Sequence, residues 1–387
     1  MFNNTEIAFR SKSNTELRKA YFLFKLMSSP KLTKIGGSIA SLAFKLCLPI
    51  DGLIKKTLFN QFCGGENIHK SATKIKELAS YNIKTILDYS VEGKASEGDF
   101  VETTNEILSI IEFASNNKNI PFAVFKITGI ARFQLLEKLN NGGSLSTLEQ
   151  QEYNRVLDRI KKICEKAHKV KVPIMIDAEE SWIQNTIDAI AENMMLTYNK
   201  NEAIVFNTLQ MYRHDRLEYF KKIHLNSKKD SYFIGIKFVR GAYMEKENKR
   251  AFKRNEASPI QPSKDACDKD YNAALKYACE NLNNISICAG THNEKSSDYL
   301  IQLMRENNIA KNNPQVYFSQ LLGMSDHISF ILADKGYNTV KYVPYGPVKD
   351  VLPYLIRRAE ENRSIAGQTG RELNLISQEI KRRKKSK

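Results

Sequence analysis

Phe233-Ile234-Gly235-Ile236-Lys237-Phe238-Val239-Arg240-Gly241-Ala242-Tyr243 is an apolar run that carries one lysine and stops in an arginine, two small residues and a tyrosine. So short and apolar a stretch reads as a strand covered on both faces, the kind that parallel sheets use. Four more such runs precede it, at Thr85–Tyr89, Phe122–Ile127, Pro173–Asp177 and Ala203–Thr208. Three follow, at Ile285–Ala289, Val316–Gln320 and Thr339–Val343. Segments between them, such as Thr147–Lys169 and Cys267–Leu282, are long enough for a crossover helix. Eight alternating units predict an α/β fold, a (β/α)8 TIM-type barrel of roughly 250–300 residues. A doubly wound open sheet is the competing architecture, and the chain has no Gly-x-Gly-x-x-Gly turn to support one.

The expected organisation is an N-terminal helical region (1–78), the barrel (79–365) and a basic C-terminal tail (366–387). The 387 residues hold 59 Lys and Arg against 43 Asp and Glu, a net charge of +16 that favours an anionic partner, lipid or nucleic acid. Part of the surplus is local, since Lys381 to Lys387 is basic except at Ser386 and reads as a solvated tail. No nucleic-acid-binding module is recognisable. The six cysteines show no metal-ligand spacing and read as reduced thiols of a cytosolic-type compartment. The lysine-flanked run Gly37–Cys47 reads as a packed helix, with an interfacial membrane contact as the alternative. No run of eighteen apolar residues occurs, so no segment is expected to span a bilayer.

In such a barrel the chemistry belongs at the C-terminal ends of the strands. The runs deliver Lys126, then Asp177-Ala178-Glu179-Glu180, then Gln210, then Lys237 with Arg240-Gly241-Ala242-Tyr243. They go on to Thr291-His292-Asn293, Gln320 and Tyr342. Polar groups ending apolar strands are costly unless they meet a ligand, water or each other. His292 has no second histidine at ligand spacing, so no metal site is expected. Glu179 and Glu180 suit capping of the next helix. Cations, donors and aromatics predominate, which fits an anionic, partly aromatic cofactor and a carboxylate substrate better than hydrolysis.

Beyond the last strand, Tyr354, Arg357, Arg358 and Glu361 fall at i, i+3, i+4 and i+7 and share one helix face, opposite Leu352, Leu355, Ile356 and Ala359. Asp350 is the expected N-cap, with Pro353 in the first turn. Adjacent guanidinium forks beside a tyrosine suit a small carboxylate; a solvated charged face is the alternative.

These stretches resemble the proline dehydrogenase family in its stand-alone, FAD-dependent form. The likeness runs through Phe62-Cys63-Gly64-Gly65-Glu66, Leu87-Asp88-Tyr89-Ser90-Val91-Glu92, Ile176-Asp177-Ala178-Glu179-Glu180 and Phe238-Val239-Arg240-Gly241-Ala242-Tyr243. It continues in Thr291-His292-Asn293, Gln320-Leu321-Leu322-Gly323-Met324, Tyr342-Val343-Pro344-Tyr345-Gly346 and Tyr354-Leu355-x-Arg357-Arg358-x-x-Glu361-Asn362. The resemblance implies a distorted barrel with its last helix over the mouth, and oxidation of L-proline to 1-pyrroline-5-carboxylate by hydride transfer to FAD. It implies a membrane quinone as electron acceptor; the expected location is cytoplasmic, and the basic surplus with the lysine-flanked run Gly37–Cys47 fits peripheral contact at the inner face of the cytoplasmic membrane. Arg357, Arg358 and Lys126 would hold the carboxylate, Tyr342 and Tyr354 would wall the ring, and Asp177 and Lys237 would serve the chemistry. Cofactor contacts carry over to Ala178, Gln210, Lys237, Arg240, Gly241, Ala242, Thr291 and His292. Arg357 is further expected to pair with Glu92 as a gate. Hydroxyproline dehydrogenation on the same scaffold is the alternative, and the bulk of Tyr342 argues against it.

Overall fold

The structure, a computed structural model, describes residues 1–28, 51–91, 95–364 and 368–386. Helices α1 (Thr5–Ala8) and α2 (Asn14–Met27) come first, and three short turns (Asp51–Ile54, Lys55–Phe59, Asn60–Phe62) precede α3 (Ile68–Ala79). The alternation then begins with β1 (Ile83–Tyr89), α4 (Glu97–Ser115), β2 (Phe122–Phe125), α5 (Phe133–Asn140) and α6 (Thr147–Val170). It continues with β3 (Ile174–Ile176), α7 (Ser181–Tyr198), β4 (Val205–Gln210), α8 (Arg216–Lys229), β5 (Ile234–Val239), α9 (Met244–Arg254) and α10 (Lys264–Cys279). The remaining elements are β6 (Ile285–Gly290), α11 (Glu294–Glu306), β7 (Val316–Leu321), α12 (Asp326–Asp334), β8 (Thr339–Tyr345), α13 (Leu352–Ser364) and α14 (Gln368–Lys385). The strands close into a barrel in chain order, as the eight apolar runs predict. By internal contacts the chain divides into two compact units, Lys94–Ser319 and the pair Met1–Gly93 with Gln320–Lys387.

In the unit Lys94–Ser319 the strands pair in parallel, and their register sets which side chains share a layer. Met175, Phe206, Gly235 and Ser286 are register partners across β3 to β6. Phe122, Phe206 and Tyr317 come from strands that are not neighbours, so their edge-to-face contacts at 5.4 and 4.9 Å place all three inside the barrel. Gly235 makes room for them: a Cβ there would lie 2.5 Å from the Phe206 ring. Asn199 ties the starts of β4 and β5 together. It donates to the carbonyls of Val205 and Phe233 at 2.8 and 3.0 Å and accepts from the amides of Ile204 and Val205 at 3.0 and 2.8 Å. All four hydrogen-bonding positions of this fully buried amide are thereby used.

In the other unit β1 and β8 pair from Ile83↔Thr339 to Tyr89↔Tyr345. Both ends of the chain pack into one apolar core, with Leu17 and Phe24 of α2 against Val351, Leu355, Leu375 and Ile376. The basic end of the chain is helical and packs into this core through Leu375 and Ile376, so it is not a free tail, although Lys381, Lys384 and Lys385 remain exposed. Glu379 is fully buried and accepts from Thr5 Oγ1 at 2.9 Å, from Arg382 Nε at 2.8 Å and from Arg383 Nε at 2.7 Å. Arg383 also donates to the carbonyls of Lys12 and Phe9 at 2.7 and 2.9 Å. Arg383 thereby joins the last helix to the end of α1. Helix α13 starts at Leu352, two residues after Asp350, because the amides of Asp350 and Val351 both turn back to the Pro347 carbonyl. Asp350 is thus not the cap. The run Gly37–Cys47 lies outside the described residues.

A buried ionic cluster locks the segment after β7. Lys341 of β8 has no exposed side-chain surface, donates to the carbonyls of Met324 and Leu321 at 2.6 and 3.3 Å, and sits 2.9 Å from Asp326. Lys12 approaches the second Asp326 oxygen at 3.3 Å. Two ammonium groups hold the Asp326 carboxyl far below the usual carboxylate range, against the opposing effect of burial. Asp326→Asn removes the carboxylate nearest both cations and is expected to cost about 3–5 kcal/mol in denaturant unfolding. Since the folded carboxyl titrates below the unfolded one, the contribution is present above the usual carboxylate range and is lost on acidification. The gap between wild type and variant should therefore narrow as the pH falls.

Candidate active site at the strand ends

The register that fills the barrel floor also builds the layer above it. Two residues beyond Met175, Phe206 and Gly235 lie Asp177, Thr208 and Lys237, on the same inward face by the period of two. Lys237 pairs in register with Cys288 of β6, and Cys288 with Tyr317 of β7. A carboxylate and an ammonium thus arise in one layer on strands that flank β4, and Lys237 Nζ donates to Asp177 Oδ1. Lys126 Nζ lies 3.6 Å from the other oxygen, Asp177 Oδ2. Asp177 and Lys237 are 9% and 5% exposed, so the salt bridge stands in a medium where charge is poorly screened. Asp177 thus holds two ammonium groups at the mouth of β3 and β5, and Lys126 also acts on the Glu179 carboxyl.

Lys126 comes to this position because β2 ends at Phe125 and the chain turns at once through Ile127–Gly129. Glu179 fixes that turn, accepting from the Thr128 amide at 3.0 Å and from the Thr128 hydroxyl. Burial raises the Glu179 carboxyl to about 7, against the two hydrogen bonds that favour its charged form. Glu180 stands at the N-cap position of α7 but makes no side-chain cap bond, its carboxylate pairing with Lys246 at 3.0 Å, and Glu179 is turned to Thr128. Instead Glu247, carried in from α9, accepts from the Ser181 amide and hydroxyl at 2.7 and 2.6 Å. The capping partner lies 66 residues away, beyond the reach of a local motif.

Gln210 brackets two loops, donating to the Glu179 carbonyl at 2.7 Å and accepting from the Ala242 amide at 3.3 Å. Arg240 is held by Asp268 at 2.7 Å, by Ser296 at 2.9 Å and by the Thr291 hydroxyl. Gly241 has φ +133°, and a Cβ there would lie 2.6 Å from the Tyr212 ring, so only glycine fits this turn. Ala178 and Thr291 are buried and His292 is half-buried. An anionic dinucleotide fits these groups in two respects. The exposed backbone at Gly241 and Ala242 permits close approach, and Asp177, Asp268 and Glu247 are each already bonded to a cation or donor and so repel a phosphate less.

In the other unit, Tyr354 and Arg358 are 5% and 7% exposed, and the Arg358 guanidinium lies 4.9 Å over the Tyr354 ring. Tyr342 is buried at 8%, while Arg357 is half-buried. A solvated charged face is therefore excluded for Arg358. Leu352 and Leu355 are buried as the opposite face predicts. Glu92, and the side chains of Glu361 and Asn362, lie outside the described residues, and the gate pairing with them.

A closed parallel barrel whose charged groups gather at the C-terminal strand ends has the layout of a (β/α)8-barrel enzyme. A family model described as proline dehydrogenase matches residues 71–371. The chain belongs to the proline dehydrogenase family. It is 33% identical over 428 residues to Proline dehydrogenase 1, mitochondrial, of Dictyostelium discoideum, covering 98% of this chain and 74% of that one. It is 30% identical to the Carbapenem antibiotics biosynthesis protein CarD of Pectobacterium carotovorum, over 93% and 94% of the two chains. Hydroxyproline dehydrogenase of Xenopus laevis is 28% identical over 97% and 88%. Among solved structures, proline utilization A from Bdellovibrio bacteriovorus superposes with a TM-score of 0.73 at 18% identity, over 93% of this chain. This chain spans 38% of the length of that larger protein, and the likeness shows the fold.

Glu179→Gln tests the buried carboxyl. The folded carboxyl titrates above the unfolded one, so wild type loses stability as the pH rises from about 4.5 towards about 7. The amide carries no charge and is expected to escape that loss. Melting temperatures at pH 5 and pH 8 should show the variant gaining on wild type at the higher pH, by an amount on the order of 2–3 kcal/mol.

Proposed function

We propose that this chain oxidises L-proline to 1-pyrroline-5-carboxylate by hydride transfer to FAD and passes the electrons to a membrane quinone, the first step of proline breakdown to glutamate. The observation that carries the reading is the family match over residues 71–371, with Lys126, Asp177 and Lys237 gathered at the strand ends. The barrel of residues 79–365 carries the chemistry in this reading, with 1–78 and 366–387 as flanks.

FAD, when bound, supplies a two-electron acceptor for the hydride from proline C5. Ala178, Gln210, Lys237, Arg240, Gly241, Ala242, Thr291 and His292 hold it. Lys237 places a positive charge that stabilises negative charge as it develops, and Asp177 orients that lysine and Lys126 together. Arg357, Arg358 and Lys126 hold the substrate carboxylate, and Tyr342 and Tyr354 wall the ring. With its carboxylate fixed, proline presents C5 while its neutral amine lone pair assists departure of the hydride; the nitrogen proton leaves to solvent. The protein's part is positioning and electrostatics.

Contact with the anionic inner face of the cytoplasmic membrane supports electron transfer to a quinone, and the net charge of +16 favours it. Among the described residues no helix is long and apolar enough to cross a membrane, so the contact is peripheral in this reading.

Adding L-proline without oxygen to the purified, FAD-loaded protein is expected to bleach its flavin absorbance. A spectrum unchanged by proline overturns the proposal. Arg357→Met and Arg358→Met should each raise KM for proline roughly 30- to 1000-fold, the cost of about 2–4 kcal/mol for a lost charge-assisted contact. A kcat/KM higher for 4-hydroxyproline than for proline would replace the substrate assignment with the alternative.

A further inference from the structure

Arg240 is the cation at the strand ends whose surroundings are most fully built. Its Nε donates to Asp268 Oδ1 at 2.7 Å, and Nη2 lies 2.7 Å from the same oxygen. Nη2 also donates to Ser296 Oγ at 2.9 Å, and Nη1 to Thr291 Oγ1. The guanidinium plane rests 4.4 Å over the ring of Tyr271, which is fully buried. Asp268 and Tyr271 are three residues apart on α10, so a single helix face supplies the counter-ion and the stacking surface. Asp268 is itself braced: its second oxygen accepts from Lys264 at 2.5 Å and from Asn293 Nδ2 at 3.3 Å. Asn293 caps α11 as well, accepting from the amides of Lys295 and Ser296 at 2.9 and 3.2 Å. These contacts account for Nε, for Nη2 and for one N–H of Nη1, leaving an Nη1 N–H to offer. The side chain remains 23% exposed.

Arginine has many rotamers, and ordering it on binding a ligand costs affinity unless the order already exists. A guanidinium fixed on one edge by a carboxylate and on one face by an aromatic ring is already ordered. We infer that Asp268, with Tyr271 behind it, is a positioning residue that sets Arg240 to receive the phosphate portion of the flavin cofactor. This inference rests on the proposed function, since it needs the chain to bind FAD. The simpler role for the pair is to tether α10 to the end of β5 for stability, and the two roles separate experimentally.

The experiment measures binding of FAD, and separately of riboflavin, to flavin-free protein by fluorescence titration for wild type, Asp268→Asn, Arg240→Met and the double variant. Melting temperatures of the same flavin-free proteins are recorded. Asp268→Asn is expected to weaken FAD binding about tenfold while riboflavin, which has no phosphates, binds within about twofold of wild type. In the Arg240→Met background Asp268→Asn should add little, because its effect passes through that arginine. Asp268→Glu, which keeps the charge but displaces it by a methylene, should fall between wild type and Asp268→Asn, and it serves if the asparagine variant folds poorly. Unchanged FAD affinity in both variants overturns the inference. So does equal weakening of FAD and riboflavin with a lowered melting temperature, or a full additional loss in the Arg240→Met background. Wild-type protein that takes up no FAD overturns the proposed function itself, which marks that failure off from the others.

Discussion

A buried carboxylate shared by two lysines is the constraint on which the strand-end site depends. Asp177 has Lys237 on one oxygen and Lys126 near the other, and the three come from β5, from the turn after β2 and from the end of β3. Removing an ion from water is expensive, and the Lys237–Asp177 pair offsets part of that cost for both partners. The packing that makes this possible lies inside the barrel, where Phe122, Phe206 and Tyr317 meet edge to face and Gly235 leaves room for Phe206. The strands thereby keep the register that puts Asp177 and Lys237 on the same inward face.

Around that centre the site uses its carboxylates as brackets. Glu179 ties the turn that carries Lys126, Glu247 closes the start of α7, and Asp268 fixes Arg240. These three acidic groups are thus each engaged with a donor or a cation. The arrangement suits chemistry in which the protein positions reactants and shapes the field, and the cofactor carries the electrons.

Much of this was readable from residue order, and the boundary of what was readable has a physical cause. The eight strands announce themselves because a doubly covered strand must be apolar throughout, and polar residues such as Lys237 and Gln210 mark where that covering ends. The family resemblance pointed to the same barrel. What escaped were pairings set by tertiary register. Nothing near Ser181 hints that Glu247 will cap it, nothing near Thr128 indicates Glu179, and Asp268 sits in an ordinary helical pattern. The same holds for Lys341, which lies in an apolar strand and finds Asp326 fifteen residues earlier. The basic C-terminal run was misleading because composition counts charges without locating their partners. Its spacing carries the signal of a packed helix, since Glu379 precedes Arg382 and Arg383 by three and four residues beside the apolar pair Leu375 and Ile376.

Lys341 has a practical corollary. Its amine has no exposed surface, and burial favours its uncharged, nucleophilic form. Lys126, by contrast, keeps about a quarter of its side chain in solvent. An amine-acylating reagent should thus mark the second residue in the intact protein and reach the first only when the fold around β8 opens. Mass spectrometry of that one peptide would turn a lysine that evolution hid from water into a clock for local unfolding.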